Sequence, residues 1–255
     1  MTYDIEAQVR RRSRRLLFAA AAFVLLAAAV AVLWFAGGDP DDRAADPTPA
    51  GPSAAPAPMP VEPTSTTPSA APGDLGPVTW TDVQGMTLPV SDRYGPADQT
   101  GGRATGFGQT AAGAVLAAAH ITVRADAIVG PGVFRPTIAA QVTGVDREAM
   151  LGTVESDYEQ RRSAAGVNPG DVLPRTHAQV AGYRVDSYTD TAAFLRLLIS
   201  SPGLNAQGTV YVDFRVEMRW VDDDWRLVAP PGGEWLSATG QVASPDGYIP
   251  MPPRR

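Results

Sequence analysis

Residues 210–229 read VYVDFRVEMRWVDDDWRLVA, and this stretch decides the fold because its apolar and polar residues alternate. The apolar positions are Val210, Val212, Phe214, Val216, Met218 and Trp220. The positions between them are Tyr211, Asp213, Arg215, Glu217 and Arg219. A period of two over this length predicts a β-strand with one face toward a core and the other toward solvent.

Three consecutive aspartates follow this strand and indicate a turn. The apolar face resumes after them at Trp225, Leu227 and Ala229. Asp222, Asp223 and Asp224 are therefore expected at the tip of a hairpin, where short polar side chains tolerate turn geometry. Trp220 and Trp225 should then fall on the same face of the sheet.

An acidic metal or catalytic site is the alternative interpretation of these aspartates. A calcium-binding loop needs alternating oxygen ligands, a central glycine and a bidentate glutamate, and this stretch lacks them. The chain has no cysteine, and its two histidines, His120 and His177, do not suffice for a multi-histidine site. The sequence therefore predicts a turn here, and neither a metal nor a cofactor.

Helical patterns come before the strands. Thr110 is a suitable N-cap for a helix over residues 111–129, and a short helix is expected over 136–142 with Pro136 in its first turn. A long helix is expected over 146–165, with Gly166 just past its end and Met150, Leu151, Val154 and Tyr158 on its buried side.

Two further strands are expected near residues 178–188 and 192–200, upstream of the hairpin, and Pro230-Pro231-Gly232-Gly233 should end its last strand. Helices followed by antiparallel strands predict one α+β domain over residues 79–250, with its helices packed on a curved antiparallel sheet. Residues 251–255 are expected to form a C-terminal tail.

Residues 16–36 are 21 consecutive uncharged residues, enough to span a bilayer's hydrocarbon core of about 30 Å as a helix. Its apolar anchor residues include Leu16, Phe23, Leu26, Leu33, Trp34 and Phe35. The arginines before it are Arg10, Arg11, Arg12, Arg14 and Arg15. The positive-inside rule places residues 1–15 in the cytoplasm and the C-terminal domain outside, in a single-pass protein of the cell membrane. A cleaved signal peptide is the alternative.

Residues 37–78 form a disordered linker in this interpretation, because 11 prolines fall within residues 39–77 and prevent regular helices and sheet ladders. The linker reaches on the order of 100 Å at full extension, so it can hold a domain well away from the membrane. Residues 79–255 carry a net charge of −4, which disfavours direct binding of nucleic acid.

Several sequence motifs within residues 80–248 are similar to those of a known protein family. They are Gly85-Met86-Thr87-Leu88-Pro89-Val90-Ser91 with Gly95-Pro96; residues 106–114, GFGQTAAGA; residues 133–138, VFRPTI; and residues 224–235, DWRLVAPPGGEW. The chain resembles actinobacterial single-pass membrane proteins of integrative and conjugative elements. Its order of elements resembles the cone-shaped nuclear-transport-factor-2-like fold, also called cystatin-like.

The same layout of anchor, linker and cone domain is similar to that of the inner-membrane scaffold subunit of type IV secretion systems. The resemblance implies a scaffold of a conjugative transfer complex that binds the bilayer and other complex subunits, and that can form homo-oligomers. The layout of anchor, linker and cone domain is also similar to that of membrane proteins associated with Mce lipid importers. An accessory role in lipid import is therefore the alternative function.

A third hypothesis is an enzyme of the lyase or isomerase type, or a small-molecule-binding protein, that uses the interior of the cone. Such enzymes place titratable side chains in the cone with pKa values tuned by burial. His120 is the pocket candidate because it falls near the buried side of the first long helix, whereas Asp126, Tyr183 and Asp186 are weaker candidates. No acid–base pair emerges from this pattern, so we expect a hydrogen-bonded histidine and no enzymatic activity.

Overall fold

A computed structural model describes residues 74–203 and 208–254 of the 255-residue chain. The helices are α1, Ala111–Arg124; α2, Pro131–Gln141; and α3, Arg147–Ala165. The strands are β1, Val78–Val83; β2, Met86–Ser91; β3, Val142–Thr143; β4, Gln179–Tyr188; β5, Ala192–Pro202; β6, Thr209–Val221; β7, Asp224–Val228; β8, Thr239–Val242; and β9, Ile249–Pro250. Short 3-10 helices cover Ala127–Val129, Pro231–Gly233 and Trp235–Ala238.

The strands form two sheets with α1 packed against both. Strands β1 and β2 make a separate hairpin, and the larger sheet has the order β3-β7-β6-β5-β4-β9 with β8 on a second part of β6. All pairings in the larger sheet are antiparallel except that of β3 with β7. Helix α1 contacts β2 on one side and β4, β5, β6 and β7 on the other. The predicted α+β class with a mostly antiparallel sheet is confirmed.

Helix α1 starts at the predicted cap but ends earlier than predicted. The Thr110 hydroxyl accepts a hydrogen bond from the Gly113 amide at 3.0 Å, which satisfies one of the free amides of the first turn. The helix ends at Arg124 rather than near Val129, because the Asp126 carboxylate accepts from the Ile128 amide and starts a 3-10 turn. Small side chains let α1 lie close to both sheets, and nearly all of its residues are buried.

Helix α2 is longer than predicted, and its proline has a different place. The predicted helix over 136–142 put Pro136 in the first turn, whereas the observed first residue is Pro131 and Pro136 lies inside the helix. An internal proline leaves the carbonyl four residues earlier without an amide partner. That carbonyl belongs to Gly132, which is exposed, so water can take the place of the lost amide.

Helix α3 agrees with its prediction at both ends. Gly166 adopts the left-handed conformation that ends a helix, and its amide bonds back to the last turn. Met150, Val154 and Tyr158 are buried as predicted, but Leu151 is only partly buried. The predicted strands near 178–188 and 192–200 are confirmed as β4 and β5.

Two close approaches explain glycines in the motifs quoted above. A Cβ on Gly113 would lie 1.9 Å from the Gly108 carbonyl oxygen, so the loop before α1 can rest on the helix only if residue 113 is glycine. A Cβ on Gly233 would lie 2.2 Å from the Met150 amide nitrogen, where the chain after β7 crosses α3. Both glycines therefore serve packing between backbone segments.

The hairpin β1–β2 was not predicted from the sequence. Its turn, Gln84-Gly85, has positive φ at both residues, which matches the twist of a two-residue hairpin loop. The described end of the range 37–78 that was predicted as a disordered linker is part of the fold, because Leu75 is buried and β1 starts at Val78.

The predicted membrane helix, residues 16–36, and the arginines before it lie outside the described residues. Within residues 74–203 and 208–254, no helix is long and apolar enough to cross a membrane. At the other end, the Met251 amide donates to the Ala181 carbonyl at 3.0 Å, so the predicted tail begins with a residue that contacts the sheet.

The Trp220–Trp225 pair allows a test of the packing between the hairpin and α1. The two residues are direct partners in the β6–β7 register, and their rings meet edge to face with centroids 5.4 Å apart. Trp225 is fully buried and its indole Nε1–H donates to the Gly108 carbonyl at 2.9 Å. We predict that Trp225→Ala lowers the free energy of unfolding by about 3–5 kcal/mol.

Urea unfolding followed by circular dichroism measures this loss, and Trp220→Ala is the matched control. Trp220 is only partly buried, so its truncation should cost clearly less than that of Trp225. Equal losses for the two variants would show that burial of Trp225 does not dominate the stability of this region.

Candidate functional site

The pocket candidate His120 is fully buried and both of its ring nitrogens have partners. The Nε2 atom lies 2.8 Å from the Pro89 carbonyl oxygen in β2 and therefore carries the proton that it donates. The Nδ1 atom lies 2.8 Å from Nη1 of Arg124, one helical turn later, and accepts from it. Arg124 in turn donates to the Gln99 side chain at 2.9 Å. His120 thus joins α1 to β2.

The electrostatics around His120 keep its ring neutral. Burial, together with the adjacent Arg124 guanidinium, lowers the pKa of His120 to about 3, although the hydrogen bond to Pro89 opposes this shift. Burial also lowers the pKa of Arg124 to about 10, so the arginine remains charged at neutral pH. A histidine with this pKa and two occupied nitrogens is a structural element rather than a general base.

The weaker titratable candidates face other partners. Asp126 is next to Arg161 at 3.6 Å and caps the following 3-10 helix. Burial raises the pKa of Asp126, against the opposing charge of Arg161. Tyr183 is buried in β4, where burial raises the pKa of its hydroxyl to about 12. Asp186 belongs to the surface network described below. The structure therefore does not join these residues to His120 as an acid–base pair.

The three aspartates after β6 have two different roles: Asp222 and Asp223 form a turn, and Asp224 binds main-chain amides of another loop, a contact that we call the Asp224 clamp. Asp222 and Asp223 have φ of 51° and 59°, which makes them the two central residues of a type I′ turn. Asp224 is not at the tip: it is the first residue of β7, and its carboxylate accepts from the Gly106 amide at 2.9 Å and the Phe107 amide at 3.1 Å. Asp224 thereby fixes the loop that precedes α1.

The described residues contain no group of three or more His, Cys, Asp or Glu side chains that could hold a metal ion. This agrees with the geometry of the aspartates, since the carboxylate of Asp224 is occupied by backbone amides and that of Asp222 pairs with Arg226.

The solvent side of the larger sheet carries charged and aromatic side chains that we call the outer charged face. Its members are Arg184, Asp186, Phe194, Arg196, Asp213, Arg215, Glu217 and Arg219. They occupy alternate positions of β4, β5 and β6, on the side opposite the residues that pack against α1. Helix α1 lies on the other side of the sheet. The Tyr248 ring lies against Arg184, and the exposed members of the face are Asp186, Phe194, Arg215 and Arg219.

An ion network runs across the three strands of this face. Arg196 donates to Asp186 at 2.8 Å and to Asp213 at 2.9 Å, and Arg184 also donates to Asp186 at 2.8 Å. Partial burial raises the pKa of Asp186, but hydrogen bonds from Arg196 and Arg184 outweigh it and hold the pKa below its ordinary value. The network fixes the orientation of guanidinium groups that isolated surface arginines would leave free.

Asp213 differs from the sequence prediction. Its position in β6 predicted a solvent-facing residue, yet Asp213 is buried at the point where β6 pairs with β8. The closest approach is at Gly240, where a Cβ would lie 2.9 Å from an Asp213 carboxylate oxygen. A buried carboxylate needs a paired charge, and Arg196 supplies it.

Phe194 is the exposed aromatic residue of the outer charged face. It is opposite Glu217 in the register, and its side chain is 44% exposed. The guanidinium of Arg219 lies 6.0 Å from the centroid of the Phe194 ring, and Arg219 also pairs with Glu217. Aromatic and arginine side chains are enriched among the residues that dominate protein–protein interfaces.

A second surface feature is a groove of about 690 Å³ beside β1. It is lined by Gly76, Pro77, Val78, Thr79, Trp80, Pro252 and Pro253. The Arg254 guanidinium lies 5.9 Å from the centroid of the Trp80 ring and donates to the Gln179 side chain at 2.8 Å. The groove therefore lies between the first strand and the end of the chain.

The alternation in β6 predicted that Asp213, Arg215, Glu217 and Arg219 share the solvent side of the sheet, but the members from β4 and β5 were not predicted to join them. Arg196 is a single charge within the apolar stretch AAFLRLLIS, residues 192–200, which is the one available signal. Nothing in the sequence indicates that Asp186 and Asp213 both pair with Arg196, because the three residues come from three different strands.

A family model described as "Domain of unknown function (DUF8175)" matches residues 38–250 of the chain. This match covers more than half of the sequence and includes both sheets, as far as the last strand, β9. No curated protein and no solved structure matches the chain.

The clamp formed by Asp224 can be separated from the turn by matched substitutions. We predict that Asp224→Asn lowers the free energy of unfolding by about 2 kcal/mol, because one of the two backbone amides loses its charged acceptor. Asp223→Asn should change it by less than about 0.5 kcal/mol, since asparagine also tolerates positive φ and this side chain is exposed. Urea unfolding measures both changes; equal effects would contradict the clamp.

The depressed pKa of His120 predicts a pH dependence of stability. Between pH 6.5 and about 3, His120 binds a proton in the unfolded chain but stays neutral in the folded protein, because folding lowers its pKa. Stability should therefore fall by up to about 1.4 kcal/mol per pH unit as the pH drops below 6.5, and gain nothing above it. Unfolding curves at pH 7, 6 and 5 for the wild type and His120→Gln isolate this contribution as the difference between the two slopes. Identical slopes would contradict it.

Proposed function

We propose that this chain, which belongs to the DUF8175 family, acts as a membrane-anchored extracytoplasmic scaffold in a conjugative DNA-transfer complex of the type IV secretion kind. It acts by binding other proteins of the complex. The predicted helix at residues 16–36 holds it in the cell membrane, and the domain stands outside the membrane at the end of the linker. The finer fold in this proposal is a cone-shaped domain of the nuclear-transport-factor-2-like type.

The observation that carries the proposal is the outer charged face. Phe194 is exposed beside Arg219, near the start of β5, which is the middle strand of the three. The ion network around Arg196 holds the neighbouring side chains in fixed orientations. A rigid aromatic residue surrounded by ordered charges resembles the centre of a protein–protein interface. A fixed arrangement also lowers the entropy that is lost on binding.

The charges of this face indicate the surface that it fits. Arginines outnumber carboxylates on it, and each carboxylate is already paired with an arginine of the same face. The complementary partner is therefore a subunit whose surface carries an apolar pocket for Phe194 and an excess of acidic side chains. Binding through such exposed charges weakens as the salt concentration rises.

The anchor and linker contribute through local concentration. A domain tethered to the membrane by a linker that reaches on the order of 100 Å meets other membrane-bound subunits in a thin layer. Tethering raises the effective concentration without any new contact, so a small docking face suffices for assembly. The proposal therefore explains why a modest domain would need a long spacer.

Site-specific photocrosslinking in cells tests the docking face directly. A photoreactive phenylalanine analogue at position 194 should form a crosslink with another subunit of the transfer complex, identified by mass spectrometry. The control is the same analogue at Val172, which is similarly exposed at 50% but lies outside the outer charged face. A product at both positions or at neither contradicts docking through this face, and a lipid-import component in the product would favour the alternative function.

Charge reversal tests the same face by activity. We predict that Arg219→Glu lowers the frequency of DNA transfer by at least about tenfold, because it replaces the guanidinium beside Phe194 with a charge that repels an acidic partner. Arg147→Glu is the matched control: its side chain is 44% exposed, against 47% for Arg219, and both arginines belong to surface ion pairs. Unchanged transfer in Arg219→Glu, with normal amounts of protein, would contradict the proposal.

A further inference from the structure

Strand β1 has one edge with no partner among the described residues. In β1–β2 the residue Trp80 is opposite Pro89. Proline has no amide hydrogen, so Trp80 and Pro89 form a non-hydrogen-bonded pair. The main-chain amide and carbonyl groups of the two residues point away from each other. The Pro89 carbonyl confirms the direction, because it accepts from His120 on the far side of β2.

The neighbouring pairs follow the same rule. The Thr87 amide donates outward to the Gln179 side chain, and Ser91 exchanges main-chain hydrogen bonds with Gly95, so both point away from β1. Their opposite residues in β1 are Asp82 and Val78. The amides and carbonyls of Val78, Trp80 and Asp82 therefore point to the outer edge of β1. Within residues 74–203 and 208–254 no main chain pairs with them.

This edge borders the groove between β1 and the end of the chain. Trp80 lines the groove on one side, and Pro252 and Pro253 line it on the other. Arg254 adds a positive charge over the Trp80 ring. An unpaired edge beside an aromatic groove is the arrangement by which domains add an extended segment to a sheet.

We propose that the occupant is a segment of the chain's own linker, residues 67–71, which adds to β1 as a third, antiparallel strand. The proposal is independent of the docking function above. The linker ends at the groove, since the described chain starts at Asp74 and Gly76 already lines the groove. Pro72-Gly73 are the preferred central residues of a type II turn, which would reverse the chain just before β1.

Pro68 decides which residues of the added strand face β1. Residues that pair with Val78, Trp80 and Asp82 must each donate an amide hydrogen, and Pro68 has none. The odd-numbered residues Thr67, Ser69 and Ala71 therefore face β1. Pro68 then faces solvent, the side on which an edge strand tolerates proline.

Tethering favours the same occupant. A segment joined to the groove by a few residues has an effective concentration in the millimolar range, so weak pairing is enough to occupy it. Covering the edge also protects it from pairing with other chains.

Hydrogen exchange of the full-length chain in detergent micelles, followed residue by residue by NMR, tests this inference with two proline variants. In the wild type the Trp80 amide should exchange at least about tenfold more slowly than an unpaired amide. Ser69→Pro removes a required donor and should abolish this protection. Ala70→Pro introduces the same residue at a position that faces solvent and should preserve it. The amides of Thr79 and Thr81, which face β2, are the internal reference in all three proteins.

A Trp80 amide that exchanges freely in the wild type overturns the proposal. An equal change in the exchange rate of the Trp80 amide in Ser69→Pro and Ala70→Pro also overturns it, because it would show that the side of the strand on which the proline lies makes no difference. The exchange is measured at two protein concentrations that differ tenfold. Protection that grows with concentration would assign the added strand to a second copy of the chain and also overturn the assignment to the linker of the same chain.

Discussion

The hydrogen bond from His120 to the Pro89 carbonyl is the contact on which the arrangement of the two sheets depends. Helix α1 lies between them, and His120 is the residue through which it holds β2 by a main-chain group. Because this bond uses the Nε2 proton and Arg124 occupies Nδ1, the buried ring is fully satisfied and has no reason to ionise. The same bond fixes which main-chain groups of β1 face outward. A residue that the sequence offered as a catalytic candidate thus explains the geometry of an edge strand.

The loop before α1 is held in a comparable way by the hairpin on the other side of the helix. Asp224 binds two loop amides, Trp225 binds the Gly108 carbonyl, and Gly113 allows the loop to approach the helix backbone. The contacts of Asp224 and Trp225 join segments more than a hundred residues apart, and the close approach at Gly113 joins the loop to the first turn of α1. All of these residues belong to motifs on which the family resemblance rests. Conserving the geometry of the loop before α1 thus gives Gly113, Asp224 and Trp225 a packing role within the motifs 106–114 and 224–235.

Much of the fold follows from local signals, because caps and periodicities act over a few residues. Thr110 and Gly166 mark helix ends, and the alternation in β6 marks a strand, as predicted. The missed features depend on tertiary contacts. Pro136 is tolerated inside α2 because Gly132 is exposed. Asp213 is buried at the point where β6 pairs with the distant strand β8, and Asp224 leaves the turn because two distant amides bind it. The outer charged face required the pairing of three strands, which no single stretch of sequence encodes.

The described end of the chain has a practical consequence for work with this protein. Met251 bonds to β4, Pro252 and Pro253 line the groove, and Arg254 covers Trp80 and holds Gln179. A purification tag or fluorescent fusion attached after residue 255 would start next to these contacts and compete for the space around Trp80. A reporter fusion should therefore be placed at the amino terminus or separated from Arg254 by a long spacer, so that the groove keeps its native wall.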